Sequence, residues 1–363
     1  MVGNLNEEAL KEPKSNGAIQ TKAQLEDFYS QGYRNSGAAF LRLILMAFVC
    51  FWNFGSPEPT GILFVISGFA IPCFYILSGY FILPNDNIQC TEKTKRKIKR
   101  AFFCLLFMLV LYLSINILIF GIRSLSVSAS KRALFNFLVL NLWPLSIGSN
   151  IWFIQAMLLA YAVIYLAAKL NLLRFYKAAL ILLFLFLLLS GEFAGLIRFH
   201  ILGYSYIPGN WLTRALPYIL LGKYLREKEE HFLRTAAWKY AAIWVAGAVL
   251  SVAEIIILAK TGFLVYEGHM VGYGIMAFAA CALALSKPLC ADTKTASFIT
   301  HFDPVLSGII YILMDPIYYI IGLVLGNENI GFISRFGGLA AFAVSILLAL
   351  ILKNNKLLKA FFS

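Results

Sequence analysis

Two polar side chains lie on one apolar stretch near the start of the chain, and their types and spacing suit chemistry. The stretch 41–56 reads LRLILMAFVCFWNFGS, with Arg42 near its beginning and Asn53 eleven residues later. Eleven residues are close to three helical turns, so both side chains lie on one face, ~16 Å apart along the axis. A guanidinium group binds anions, and an amide can orient a hydroxyl group or stabilise an oxyanion. The pair favours the wall of a cavity, although Arg42 alone could extend to the membrane surface.

Three further ionisable side chains fall inside apolar segments: Arg214, Glu254 and Asp315. Such residues are costly at membrane depth and usually face a partner or a cavity. A buried carboxylate can act as a general base, so Asp315 and then Glu254 are candidates for that role. A structural ion pair or a helix-end position is an equally open interpretation for Arg214 and Glu254.

The third candidate is the basic run KTKRKIKR at 93–100, which contains Arg96, Lys97 and Arg100. Clustered Lys and Arg bind polyphosphates through charge and donor geometry, but they also mark the cytoplasmic side of membrane proteins. Ser78 and Tyr80 come near the end of the preceding apolar segment. We expect them, together with Trp152 and Glu254, to line a substrate cavity.

The elements that must position these residues are membrane helices. The chain has 363 residues, of which 60% are hydrophobic and 13% charged, with a mean hydropathy of +0.77. Soluble domains have about 45–50% apolar and about 25% charged residues, so this is an integral membrane protein. The net charge of +13 lies in short loops between apolar segments, which argues against nucleic acid as a partner.

Cysteine and histidine do not suggest a metal site. Six cysteines include no CxxC pair and lie mostly in apolar runs, and the four histidines are scattered. We expect buried thiols that pack as small hydrophobic groups, no metal site and no permanently bound cofactor.

The fold class predicted is all-α, a polytopic bundle of about ten membrane helices with both termini cytoplasmic. A span needs about 20 mostly apolar residues, and alternate loops are rich in Lys and Arg. Residues 1–37 are predicted as a polar cytoplasmic tail, 38–353 as the transmembrane domain and 354–363 as a basic tail. The predicted spans are 38–54, 61–83, 101–122, 151–169, 178–197, 210–225, 237–259, 271–287, 304–325 and 335–352.

Six motifs, in order, resemble the membrane acyltransferase 3 family of bacterial O-acyltransferases. The first helix resembles the family's Arg-x10-His helix, and KIKR at 97–100 resembles its basic RxxR motif. The other four motifs are IPCFYILSGYFI at 71–82, IWFIQAMLLAY at 151–161, NWLTRALPYILLGKYL at 210–225 and LSGIIYILMDPIYY at 306–319.

The resemblance implies transfer of an acyl group, often acetyl in the family, from cytoplasmic acyl-CoA to a hydroxyl of a cell-envelope glycan or lipid. Acetyl-CoA would be a co-substrate, and Arg42 with the basic run would hold its phosphates or polarise its carbonyl. Two departures stand out: Asn53 takes the place of the first-helix histidine, and Met314 takes that of the later one. Neither can supply a base, so Asp315 is the predicted base, ahead of Glu254, His200 and His269.

Three functions follow from these residues. The first is an active acyltransferase of the cell membrane, in which Arg42, Asn53 and Asp315 act in catalysis. The second is a catalytically degenerate member that binds or translocates a lipid-linked saccharide. An ion-coupled transporter is the third, although the sequence has no internal repeat of the kind that many transporters show.

Overall fold

The fold is all-helical in the part of the chain that the computed structural model describes, where no strand occurs. The described residues are 34–54, 61–84, 86–121, 147–148, 150–190, 211–260, 270–286, 304–326, 330–356 and 358.

Among the described residues up to Ser190 there are six α-helices, and a 3₁₀ turn at Leu172–Phe175 precedes the sixth. They are α1 (Arg34–Phe54), α2 (Ile62–Ser67), α3 (Ala70–Ile82), α4 (Asn87–Phe120), α5 (Ile151–Lys169) and α6 (Tyr176–Ser190).

The described part of the chain resumes at a π-helical turn, Trp211–Ala215, which leads into α7. A second π-helical turn, Ile333–Gly337, precedes the last helix. The helices are α7 (Leu216–Glu227), α8 (Glu229–Arg234), α9 (Ala237–Lys260), α10 (Val271–Ser286), α11 (Pro304–Leu325) and α12 (Gly338–Leu352).

Eight helical stretches in the described residues are long and apolar enough to cross a membrane. They match eight of the ten predicted spans. In the other two, 210–225 and 271–287, the described residues are helical but the helices are shorter. The first consists of a π-helical turn that continues into α7, and the second is α10. The prediction of a polytopic all-α membrane bundle is therefore confirmed.

The centre of the bundle is formed by α3 and α7, whose side chains are mostly buried and which pack closely on each other. Small residues make this approach possible, because a Cβ on Gly79 would overlap the carbonyl of Ile219 and one on Gly222 would overlap that of Ile76. Around this pair, α4 packs on α5, α9 on α10 and α11 on α12.

The peripheral helices have large apolar side chains on their outer surfaces. Leu182 of α6 is 65% exposed and Val249 of α9 is also 65% exposed. Water would disfavour such surfaces, whereas lipid tails accept them. The outer faces of α4, α6, α9 and α12 are therefore the lipid-facing surface of the bundle.

The prediction placed 84–100 in a loop, and the structure corrects it. Helix α4 begins at Asn87, because the carboxylate of Asp86 accepts hydrogen bonds from the backbone N–H groups of Ile88 (3.2 Å) and Gln89 (3.3 Å). This is the N-cap arrangement that satisfies the first amides of a helix. The basic run 93–100 therefore lies on a rigid helix, with a fixed direction for each cation.

Other predicted features fall elsewhere. Helix α1 begins at Arg34, inside the predicted tail 1–37, while 1–33 lie outside the described residues. His200 and His269 also lie outside the described residues. The five described cysteines are buried free thiols, as predicted.

Candidate functional site

Three cations from two helices meet at one end of the bundle and form what we call the basic cluster: Arg42, Lys97 and Arg100. All three side chains are half-buried. The positive charges of Arg100 and Arg42 both act on the Lys97 ammonium group. The Arg42 guanidinium lies over the ring of Phe81 at 5.3 Å, a cation–π contact that fixes its position. The structure thus brings together three of the sequence-predicted residues.

Arg96 does not join the basic cluster. One residue turns an α-helix by about 100°, so neighbouring cations on α4 point to different sides. Lys97 lies on the side of the buried Cys104 and Met108, whereas Arg96 is exposed. Arg96 and Lys97 therefore lie about 100° apart on the helix, with the half-buried Arg100 between them.

A further cation, Arg214, lies deep inside the bundle, and its side chain is only 2% exposed. The π-helical turn at Trp211–Ala215 positions it, and its guanidinium lies 5.0 Å from the centre of the Trp152 ring. Its charge also acts on the buried hydroxyl group of Tyr75. Trp152, predicted as a cavity residue, thus forms one wall of a buried cationic centre.

The other two cavity residues predicted on α3 have different partners. Ser78 is hydrogen-bonded through its hydroxyl to the hydroxyl of Tyr161 on α5. Tyr80 is 2% exposed, and the guanidinium of Arg226 lies over its ring at 5.3 Å. Ser78 and Tyr80 therefore join α3 to two different helices.

Asp315 is buried in the middle of α11 and binds a loop that enters the bundle. Its Oδ2 accepts a hydrogen bond of 2.5 Å from the backbone N–H of Gly148, two residues before Asn150 and the start of α5. The described loop residues Ile147, Gly148 and Asn150 are themselves buried. Backbone away from helices is tolerated at membrane depth only where protein groups satisfy it, and Asp315 is one of those groups.

The same loop is held by further side-chain contacts. Asn150 donates through its amide to the carbonyl of Tyr311 (2.8 Å), and the hydroxyl of Tyr311 donates to the carbonyl of Asn150 (2.6 Å). Asn116 of α4 donates to the carbonyl of Ile147 at 3.0 Å. We call Tyr112, Asn116, Asn150, Tyr311 and Asp315 the buried polar network.

Pro316 explains why this network forms at this level of α11. A proline has no N–H, so the carbonyl four residues earlier, that of Ile312, loses its helical partner. The hydroxyl of Tyr112 lies 2.9 Å from that carbonyl oxygen and donates to it, and it also lies 3.1 Å from Asn150 Oδ1. The Asp-Pro pair in the sequence therefore provides both a carboxylate and a backbone carbonyl that lacks its helical N–H donor inside the bundle.

Asn53 and Glu254 are placed away from these groups. Asn53 is exposed at the far end of α1 from Arg42, and its amide donates to the carbonyl of Val49 in its own helix at 3.0 Å. Glu254 of α9 accepts from the backbone N–H of Gly272 at 3.2 Å. A carboxylate at the first turn of α10 satisfies an amide and complements the helix dipole.

An ion pair joins α6 and α7. Lys177 Nζ lies 2.6 Å from a carboxylate oxygen of Glu227, and the hydroxyl of Tyr176 also donates to this carboxylate. These hydrogen bonds, first from Lys177 and then from Tyr176, hold the pKa of Glu227 below its usual value. The pair fixes the end of α7 relative to α6.

The sequence pointed to some of these residues and missed others. The sequence marks Arg214 as ionisable at membrane depth but indicates no role for it, and its contact with Trp152 joins residues 62 positions apart. Tyr112, Asn116 and Asn150 were not noticed, although Pro316 signalled a carbonyl in need of a donor. Among the described residues, no three His, Cys, Asp or Glu side chains are grouped to hold a metal ion.

Comparison with known families adds one match. The model of a family described as "Acyltransferase domain" matches residues 35–353, which is most of the chain. Neither the comparison with curated proteins nor that with solved structures gives a match. The match begins one residue after the first described residue of α1 and ends one residue after α12.

Proposed function

The chain belongs to the acyltransferase 3 family, and we propose that it transfers an acyl group, most simply acetyl, from acyl-CoA to a hydroxyl group of a cell-envelope glycan or lipid. Family membership and the eight apolar helices make it a membrane acyltransferase. The donor and the acceptor are our proposal, and the geometry of the basic cluster is the observation that carries it.

The basic cluster has the chemistry required to bind the phosphates of coenzyme A. Three cations on two helices lie close together in half-buried positions. An arginine can bind two phosphate oxygens in parallel, and a lysine adds a point charge. Partial burial also weakens screening by salt. The cluster therefore favours a polyphosphate over a single carboxylate.

The transfer step needs a proton acceptor. The acceptor hydroxyl oxygen bonds to the thioester carbonyl carbon, the carbon–sulfur bond breaks, and the hydroxyl proton goes first to a base and then to the departing thiolate. We propose Asp315 as this base, because it is a carboxylate in the bundle interior, 7% exposed, beside a loop that enters from the start of α5. The buried cation Arg214 is then the group best suited to stabilise the oxyanion.

We propose that the end with the basic cluster faces the cytoplasm. An ion pair joins Lys177, at the start of α6, to the end of α7. The ammonium group of Lys223 on α7 donates a hydrogen bond to the carbonyl of Pro84, just before the start of α4. Lys97 and Arg100 of α4 therefore lie at the same end of the bundle as Lys177. Cytoplasmic loops carry an excess of Lys and Arg. This orientation places both termini in the cytoplasm, in a multi-pass protein of the cell membrane, and admits acyl-CoA from that side.

The placement of Asn53 favours a second candidate function. The family's histidine position holds an amide that bonds to its own helix, and Asp315 is used to hold a loop. A family member that binds or translocates a lipid-linked saccharide without transferring an acyl group would have the same placement.

One experiment separates the two functions. Purified protein is reconstituted in liposomes with acetyl-CoA and an extract of envelope glycolipids, and release of free thiol is followed with and without the extract. Acceptor-dependent thiol release that is lost in Asp315→Asn supports the transferase. Saccharide binding with thiol release no faster than in empty liposomes supports the degenerate binder.

A further inference from the structure

Helix α4 carries a second group of cations that the proposed function does not use. Lys95, Arg96 and Lys99 are all exposed, and α4 is a single continuous helix of 34 residues. At 1.5 Å per residue it is about 51 Å long, whereas the hydrocarbon core is about 30 Å thick. Part of α4 must therefore project beyond the lipid tails, and its cations must lie in that part.

The direction of these cations is set by the helix. With about 100° per residue, Lys95, Arg96 and Lys99 fall on the same third of the helix surface as four exposed apolar side chains. Those side chains are Phe102 (52% exposed), Phe103 (44%), Leu106 (46%) and Val110 (59%).

This face contacts lipid. The four apolar side chains are large, exposed and arranged at helical spacing on the outside of a membrane bundle, while the opposite side of α4 carries the buried Cys104, Met108 and Tyr112. Lipid tails are the medium that such a stripe fits. The cations continue the stripe without a change of direction, so the medium beside them is the headgroup layer of the same lipids.

The depth agrees with this assignment. The apolar part of α4 begins at Ala101, so along the axis Lys99 lies ~3 Å beyond it, Arg96 ~8 Å and Lys95 ~9 Å. The headgroup layer on each side of a bilayer is roughly 5–7 Å thick. The one acidic side chain on the same third of this helix, Glu92, lies farther out, at ~14 Å. The charge on the stripe, from the headgroup layer to its outer edge, is therefore +3.

We infer that Lys95, Arg96 and Lys99 form a binding site for the phosphate headgroups of anionic phospholipids, whose tails lie along Phe102 to Val110. The site is distinct from the basic cluster because its three cations are exposed, whereas Lys97 points to the buried side of the same helix and Arg100 is half-buried. Arg96, which the sequence predicts to bind the acyl-CoA donor, is thereby assigned to the lipid headgroups.

The site has a measurable strength. A Lys or Arg at the surface of an anionic membrane changes the preference for anionic lipid by about fivefold. Three cations together then change it by on the order of 100-fold at low salt, with less at higher salt as the headgroup charges are screened.

The test compares two triple variants of the full chain that lose the same charge at different places. The site variant is Lys95→Gln/Arg96→Gln/Lys99→Gln, and the control variant is Lys169→Gln/Lys228→Gln/Lys239→Gln, in which all three residues are exposed. Each protein is purified in a neutral detergent, and its unfolding temperature is measured against added phosphatidylglycerol or phosphatidylcholine.

We expect phosphatidylglycerol to stabilise the wild type at lower amounts than phosphatidylcholine. The amount for half-maximal stabilisation should rise at least tenfold in the site variant and stay within twofold in the control variant. An unchanged requirement in the site variant overturns the inference. If that variant does not fold, the single variants Arg96→Gln and Lys99→Gln should each raise the amount by about fivefold.

Two further arms identify the source of the phosphate. Inorganic phosphate and glycerol phosphate should not reproduce the stabilisation at matched charge concentration. Stabilisation by either one equal to that by phosphatidylglycerol overturns the assignment to lipid. No acyl-CoA is present in these measurements, so their outcome does not depend on the proposed transferase activity.

Discussion

Replacing Arg100 with glutamine tests the proposed donor site most directly. The side chain belongs to the half-buried basic cluster, and its charge acts on Lys97. Glutamine keeps a similar length and removes the charge. If Arg100 binds a phosphate of coenzyme A, the variant loses a charge-assisted hydrogen bond, while the backbone of α4 remains helical.

The expected loss follows from that bond. Hydrogen bonds to charged groups contribute about 1.5–3 kcal/mol, and each 1.4 kcal/mol is about a tenfold change in affinity. The dissociation constant for acetyl-CoA should therefore rise about 10- to 150-fold. Lys97→Gln should fall in the lower part of this range, because a point charge on a flexible chain binds with less geometric definition than a guanidinium.

The assay is equilibrium binding of acetyl-CoA to purified protein by calorimetry, which needs no acceptor. Lys239→Gln is the matched control, since Lys239 is an exposed cation at the start of α9 whose ammonium lies over the ring of Trp238. Its dissociation constant should stay within about twofold of the wild type. Wild-type affinity in Arg100→Gln, or an equal loss in Lys239→Gln, would refute the assignment of the basic cluster to the donor.

Three further predictions concern stability, each followed as the thermal unfolding of purified protein. Gly222→Ala should destabilise by about 1–3 kcal/mol, because the new Cβ overlaps backbone of the facing helix, whereas Gly322→Ala, with open space around it, should be neutral or stabilising. Tyr112→Phe should cost about 1–3 kcal/mol, because a buried carbonyl loses its donor; an unchanged unfolding temperature would contradict this. Because hydrogen bonds from Lys177 lower the pKa of Glu227 in the folded state, its stabilisation is present above the unfolded pKa of about 4.5 and is lost as the pH falls through the folded value. Glu227→Gln should therefore flatten the acid side of the stability profile, and a profile like that of the wild type would contradict the role of this pair.

Helix bounds were predictable where an apolar run ends in polar residues on both sides. The spans 151–169 and 304–325 agree with α5 and α11 at both ends. The prediction was wrong at 84–100, because a basic run was interpreted as loop. Asp86 caps a helix there, and Lys, Arg and Glu all have good helix propensity, so the capping residue outweighs the charge pattern.

The site was predictable only as far as local spacing determines direction. Arg42 and the run 97–100 come together because each lies in the N-terminal part of its helix, and both helices start at the same end of the bundle. The contact of Asp315 with Gly148 joins residues 167 positions apart, and that of Trp152 with Arg214 joins different helices. No periodicity fixes which helices are neighbours in a bundle, so these contacts require the structure.

The structure also bears on the missing histidine. Position 53 lies ~16 Å along α1 from Arg42, is exposed and has its amide bonded to Val49. A base there would act on an acceptor near the end of the bundle opposite the basic cluster. Asp315 is in the middle of α11, so a reaction that uses it takes place deeper in the bundle and needs a shorter reach from donor phosphates to thioester. If Asn53→His gives activity that persists in Asp315→Asn, the reacting atoms meet at the outer end of α1. If the activity of the unaltered chain disappears in Asp315→Asn while acetyl-CoA still binds with wild-type affinity, the reacting atoms meet deeper in the bundle, beside the loop at Gly148.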